Sequence, residues 1–220
     1  MDFNLIMLTM GVSFLLSVIS GPLAIPILRR LKFGQQIRTD GPQAHMKKAG
    51  TPTMGGTIIL LALSIAFLRF ADSSQPEFYI LLVACLGYGL IGFLDDYIKI
   101  VFKRSLGLTA KQKLLGQFIV GIVLCIMLIQ KGHPTHVTIP LTGWVWELGW
   151  FYYPFMILLL LGISNAVNFT DGLDGLLAGT SAIAFGAFTV IALMATEPET
   201  AIFSAAMIGS VLGFLVFNAH

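Results

Sequence analysis

The sequence predicts an all-α fold, a polytopic bundle of transmembrane helices with its N-terminus outside. Three observations carry this reading. Hydrophobic residues make up 56% of the chain and charged residues 11%, with a mean hydropathy of +0.87, which leaves too little polar surface to cover a soluble globule of 220 residues. The apolar residues gather into runs of roughly 17 to 25, the length an α-helix needs to cross the hydrocarbon layer, whereas a closed barrel would show alternation over about 10 residues. Finally, eleven of the 13 basic residues fall in two loops on one side of the predicted bundle, as the bias of Lys and Arg toward cytoplasmic loops requires.

Taken in order, the expected spans are Phe3–Leu28, Thr53–Phe70, Phe78–Tyr97, Leu114–Gln130, Trp150–Ala166, Leu176–Ala195 and Ala201–Phe217, seven in all. The segment Met1-Asp2-Phe3-Asn4 lacks the basic start of a secretory signal, so the first run is read as a retained span. Arg29, Arg30, Lys32, Arg38, Lys47 and Lys48 mark the first loop as cytoplasmic, and Lys99, Lys103, Arg104, Lys111 and Lys113 mark the third. The opposite loops, holding Asp72 with Glu77, Lys131 with Glu147 and Glu197 with Glu199, are basic-poor. Trp144, Trp146, Trp150, Tyr152 and Tyr153 read as an outer interfacial belt. Cys85 and Cys125 lie inside apolar runs and read as inert packing residues. The chain is therefore expected to be a single integral membrane domain, 1–220, whose active-site loops are 29–52, 97–113 and 165–175.

Polar residues overlaid on this topology collect at the cytoplasmic face. Asp95 and Asp96 end the apolar run that closes with Gly92-Phe93-Leu94. A single ionisable residue at membrane depth costs at least about 2.5 kcal/mol, so an adjacent pair is a site for a cation, a proton or a phosphate-bearing substrate. The bland alternative is a solvated pair neutralised by Lys99. A second acidic cluster, Asn165 to Gly175, would on a continuous helix put Asn168, Asp171 and Asp174 on one face. Four carboxylates on one face repel unless a cation or substrate compensates them, and hard oxygen ligands favour Mg²⁺ or Mn²⁺ with phosphate oxygens completing the shell. The first loop, Asp40 to Gly56, combines Lys47 and Lys48 with Thr51, Thr53 and glycines, a composition that can cradle phosphates. The third loop could attract anionic lipid or a polyprenyl phosphate. His45 and His220 are lone histidines by spacing, and His133 and His136 fall on the outer side, away from the acidic residues.

The segments Ala44 to Gly56 (AHMKKAGTPTMGG), Asp95-Asp96-Tyr97-Ile98-Lys99, Gly107 to Lys113 (GLTAKQK) and Asn165 to Gly175, in this order and topology, resemble the phospho-N-acetylmuramoyl-pentapeptide-transferase (translocase I) family. That family is of glycosyltransferase 4 type, among the polyprenyl-phosphate N-acetylhexosamine-1-phosphate transferases. The resemblance implies Mg²⁺-dependent transfer of phospho-MurNAc-pentapeptide from UDP-MurNAc-pentapeptide to undecaprenyl phosphate, giving lipid I and UMP. It implies catalytic roles for Asp95, Asp96 and Asp174, with Asp95 and Asp96 also supporting the metal, whose main Asp ligand would lie beyond His220. Lys48, Thr53, Lys111, Asn168, Asp171 and Asn218 would bind substrate. The family has ten spans, so the chain is expected to be a C-terminally incomplete fragment. Membrane lipid and a homodimer partner are further implications, nucleic acid is not, and the location is the bacterial inner membrane with a cytoplasmic active site.

Sibling enzymes that use UDP-GlcNAc share the Asp pair, but the Lys47 to Gly56 form (KKAGTPTMGG) points to the muramoyl branch. A cation-coupled transporter could also use polar residues in broken helices, yet here they gather at one face and no internal repeat is visible. A purely structural subunit would have no use for the four aspartates.

Overall fold

The computed structural model describes residues 3–31, 54–102, 106–139, 142–171 and 174–218. Each predicted apolar run is a helix: α1 (Phe3–Leu31), α2 (Gly56–Phe70), α3 (Pro76–Val101), α4 (Ala110–Lys131), α5 (Tyr152–Thr170), α6 (Leu176–Met194) and α7 (Pro198–Asn218). Six are long and apolar enough to cross a membrane, which makes this a multi-pass membrane protein. The exception is α2, with 15 residues. At 1.5 Å per residue it reaches only about 22 Å, short of the roughly 30 Å hydrocarbon core. Its apolarity has a second source, since Ile58, Ala62, Leu63, Ala66 and Phe67 are buried within the protein among α1, α3 and α7.

Local sequence explains the helix ends. Pro76 occupies the first turn of α3, where its missing N–H costs nothing. Thr109 and Gln112 form a reciprocal capping box at the start of α4, and Gly132, at φ 71°, closes that helix in the left-handed conformation. One feature was absent from the all-α expectation. Residues His136–Thr138 (β1) and Val145–Glu147 (β2) pair antiparallel, Val137 opposite Trp146. The Trp residues of the expected belt sit on and beside this hairpin, where Trp144, Trp146 and Trp150 are exposed.

Helix α7 is the hub, packed on α1, α2 and α6. Apolar burial does not drive helices together in lipid, so close approach and interhelical hydrogen bonds must hold them. The α1–α7 seam supplies both. The Ser13 hydroxyl donates to the Ala206 carbonyl at 2.6 Å and the Ser17 hydroxyl to that of Ser210 at 2.9 Å. A Cβ on Gly209 would run into the Met10 carbonyl and come within 2.9 Å of the Phe14 nitrogen. Gly209→Ala is therefore expected to lower stability by about 2 kcal/mol through overpacking against backbone, read as a fall in unfolding midpoint in detergent. An unchanged midpoint would mean that the seam is not tightly packed.

Toward the opposite end from the acidic pair, Phe67 stacks on Phe78 with ring centroids 5.1 Å apart and meets Phe203 edge-on at 5.3 Å. Polar contacts finish that end. The Asp72 N–H donates to the buried Glu199 carboxylate at 3.1 Å, and Lys131 pairs with Glu77. The Asp72 carboxyl is itself held below the usual carboxylate range by the N–H and hydroxyl of Ser74.

Candidate active site

Two of the expected loops turn out to be largely helix. Because α3 continues to Val101, Asp95, Asp96 and Lys99 stand on a rigid helix rather than at its frayed end. Because α5 stops at Thr170, the predicted continuous face of Asn168, Asp171 and Asp174 does not form. Asp171 is the C-terminal cap, with ψ turned to 39°, and the chain enters α6 through Gly175 at φ 77°. The Asn, Asp and Gly residues that suggested a site are also those that favour a turn over a helix.

Asp95 is 7% exposed and every carboxylate oxygen of the pair is engaged. Asp95 Oδ1 accepts the Leu108 N–H at 2.9 Å. Its Oδ2 lies 2.7 Å from Lys99 Nζ and 3.6 Å from Lys113 Nζ. Asp96 Oδ1 meets the same Lys99 amine at 2.9 Å, while Oδ2 accepts the Met54 N–H at 3.3 Å. Lysine at three and four residues beyond the pair is the spacing that lets one ammonium reach both carboxylates on a helix.

Two backbone features make these contacts possible. Gly107 has no room for a side chain, since a Cβ there would strike the Asp95 carbonyl and lie 2.5 Å from Oδ1. Met54 has φ 69°, a left-handed conformation costing a β-carbon-bearing residue roughly 1–2 kcal/mol. It is held there while its N–H reaches Asp96 and its carbonyl accepts the Thr57 hydroxyl at 2.7 Å. Strain of this kind concentrates where the surroundings impose a functional geometry.

These groups form the mouth of a cleft of about 590 Å³ between α2, α3, α4 and α5. Asp95, Asp96, Lys99 and Lys113 stand on one wall, and Asn168 and Asp171 on the α5 side. Farther along the spans the lining turns apolar, with Ile59, Leu60, Gly89 and Phe93. Gly56 and Thr57 also line the cleft, so the positive end of the α2 dipole faces it. A polar, lysine-bearing mouth on an apolar slot suits a ligand with an anionic head and a greasy tail.

Among the substrate residues expected from sequence, Asn168 and Asp171 line the cleft and Lys111 does not. Lys111 is exposed on the first turn of α4, and Lys113, nearly half a turn round the helix, faces Asp95 instead. Asp174 is exposed in the turn before α6, and Asn218 is the half-buried last residue of α7; neither lines the cleft. Lys48, Thr53 and the rest of residues 32–53 lie outside the described residues, as does His220. Lys99 neutralises the pair as its spacing in sequence allows, whereas Lys113 is legible in sequence only as a loop charge and Gln117, Ser164 and Met54 carry no site signal of their own there. Helical spacing from Lys113 points to Gln117, one turn on. Met54 could be found only from the folded backbone.

Magnesium held by the pair itself meets an obstacle in this geometry. The ion takes hard oxygen donors in near-ideal octahedral arrangement, but Asp95 and Asp96 already spend their oxygens on two ammonium groups and two N–H donors. Among the described residues no group of three His, Cys, Asp or Glu side chains is arranged to hold an ion. The local charge is balanced by Lys99 and Lys113.

Comparisons with known proteins identify the family. The model of Glycosyl transferase family 4 matches residues 78–220, and the phospho-N-acetylmuramoyl-pentapeptide-transferase signature 1 matches residues 48–60. Relatives named phospho-N-acetylmuramoyl-pentapeptide-transferase include that of Halalkalibacterium halodurans, 54% identical over 99% of this chain and 68% of its own length. That of Bacillus subtilis is 53% identical over the same shares. The Geobacillus thermodenitrificans protein is 52% identical over 100% of this chain and 69% of its own. The chain belongs to the phospho-N-acetylmuramoyl-pentapeptide-transferase family, within glycosyl transferase family 4.

Proposed function

We propose that this protein transfers phospho-MurNAc-pentapeptide from UDP-MurNAc-pentapeptide to undecaprenyl phosphate, forming lipid I and releasing UMP, the first membrane step of peptidoglycan synthesis. The observation that carries the reading is the pair of lysines, Lys99 and Lys113, clamped on Asp95 at the polar mouth of an apolar cleft, in a chain of this family.

An oxygen of the lipid phosphate forms a new bond to the sugar-bearing phosphorus of the donor. The phosphoanhydride bond to the uridine-bearing phosphate breaks, and UMP leaves with the bridging oxygen. Reactions of this kind need positioning and charge neutralisation more than covalent help from the protein. Lys99 and Lys113 supply the positive charge, and Asp95 holds both ammonium groups at the mouth of the cleft. Asn168 and Asp171 meet the donor from the other wall. The polyprenyl tail follows the apolar lining along the spans.

Magnesium dependence belongs to the same proposal, with the ion carried chiefly by pyrophosphate oxygens, where it would neutralise charge on the leaving phosphate. The active site faces the cytoplasm of a bacterial inner membrane, a placement supported by the loops of Arg29 to Lys48 and Lys99 to Lys113.

The test is release of UMP by the intact enzyme in detergent with undecaprenyl phosphate, using UDP-MurNAc-pentapeptide beside UDP-GlcNAc, with and without chelation. Mg²⁺-dependent release from the muramoyl donor alone is the expected result. Turnover of UDP-GlcNAc instead would move the protein to the sibling specificity. No UMP from either donor would overturn the transferase reading and return the cation-coupled transporter to consideration.

A further inference from the structure

Just inside the membrane from the lysine clamp, Gln117 on α4 is 3% exposed and engages both polar atoms of its side-chain amide. Its Nε2 donates to the Ser164 hydroxyl on α5 at 2.9 Å, and its Oε1 accepts from the Asn165 amide at 2.9 Å. Asn165 also donates to the Leu161 carbonyl at 2.8 Å, which pins its own rotamer. The Gln117 carbonyl accepts the Tyr88 hydroxyl of α3 at 3.4 Å. One residue thus links three helices.

Its place in the chain gives that link a consequence for the site. Gln117 follows Lys113 by one helical turn, and Ser164 and Asn165 precede Asn168 by one turn and Asp171 by two. Elsewhere the α4–α5 seam has the Ile157 side chain against Gly121 and the Cys125 thiol 3.7 Å from the Tyr153 carbonyl. These contacts hold the helices together without setting their rotation closely. α5 has only slight packing on α6, and apolar contact alone does not fix helix register in lipid. A buried amide with a donor and an acceptor aimed at two neighbouring residues does, because any slide leaves polar groups unsatisfied in a low-dielectric setting.

We propose that Gln117 is a positioning residue: its bridge to Ser164 and Asn165 sets α5 on α4 and thereby the spacing between Lys113 with Asp95 on one wall and Asn168 with Asp171 on the other. Its kinetic readout rests on the phosphotransfer reading above, and a second readout does not.

Gln117→Leu keeps the volume and removes both hydrogen bonds. In the intact enzyme it is expected to lower kcat about 30- to 100-fold, since a displacement of about 1 Å at a reacting centre costs about 100-fold, and to lower the unfolding midpoint as well, because Ser164 and Asn165 lose a hydrogen-bond partner. Ser164→Ala should lower kcat by a smaller factor, and the double variant should be no worse than Gln117→Leu, the signature of two residues acting through one contact. Ile157→Ala, on the same seam but away from the bridge, should lower the midpoint while leaving kcat within about twofold, as expected of packing loss remote from the reacting groups. Spin labels at the exposed positions Leu114 and Val167 read the α4–α5 distance directly. That distribution should broaden or shift in Gln117→Leu and stay narrow in Ile157→Ala.

A Gln117→Leu enzyme with unchanged kcat, strictly additive losses in the double variant, or an unaltered spin-label distance would each overturn the positioning role. Failure of the unsubstituted enzyme to release UMP would instead sink the transferase reading, and the spin-label arm would still decide whether Gln117 positions α5.

Discussion

Asp95→Asn is expected to reduce UMP release about 1,000-fold, the upper range for losing one preorganised electrostatic group from an active site, while the protein still folds and extracts normally. The substitution keeps the side-chain volume and removes the charge. At present Asp95 accepts from the Leu108 N–H and faces two ammonium groups. An amide in its place must turn its NH₂ toward either the Leu108 N–H or the lysines, so a donor meets a donor in both orientations. Lys99 would retain Asp96, but Lys113 would lose the only carboxylate with which it forms an ion pair among the described residues. The ammonium groups would no longer be held where the phosphates arrive. Asp96→Asn should cost less, because its side chain is 30% exposed against 11% for Asp95 and water can replace part of what is lost. Asp95→Asn turning over at more than about a tenth of the parent rate, well short of the loss expected for such a group, would remove Asp95 from the catalytic machinery.

Gly107→Ala is expected to cost about 100-fold in kcat, the scale of a small misplacement at a reacting centre, although it adds only a methyl group. A Cβ at this position would meet the Asp95 carbonyl and sit 2.5 Å from Oδ1, distances that real side chains do not tolerate. Either the segment from Leu106 to Thr109 moves away, breaking the Leu108 N–H bond, or Asp95 swings and releases the lysines. Gly116→Ala makes a useful control, because its Cβ would meet only the flexible end of Ile91 at 3.4 Å. Equal activity of the two alanine variants would mean that the Leu108 bond does not matter to turnover. A midpoint loss in Gly107→Ala with kcat preserved would assign Gly107 a folding role alone.

Much of this architecture was legible in the chain. The apolar runs located all seven helices, because an α-helix is the only unbranched way for one segment to satisfy its own backbone in lipid, and that requirement is written in length and hydropathy. The acidic pair was legible for the same reason, since carboxylates in an apolar run have no role in insertion. The hairpin at His136–Glu147 was not, because two three-residue strands are too short to show a period of two. The exact end of α5 was also hidden. Asn168 to Asp174 can be read as a helix face or as a turn, and local pattern alone does not choose between them.

What the sequence by itself determined is the class of molecule, the approximate spans and the identity of Asp95 and Asp96 as the residues to explain. Only the tertiary structure decided which partners they have. Lys113 rather than Lys111 faces Asp95 because the capping box at Thr109 sets where α4 begins, and hence which lysine its first turns direct at α3. Met54 reaches Asp96 across 42 positions of chain through a left-handed backbone that no composition signals. Gln117 meets Ser164 across 47. The physical reason is the same in each case: hydropathy and local propensity act on neighbours within a turn or two, whereas the geometry of a site depends on the rotation of each helix about its axis, and that is fixed by close packing and hydrogen bonds between segments distant in sequence.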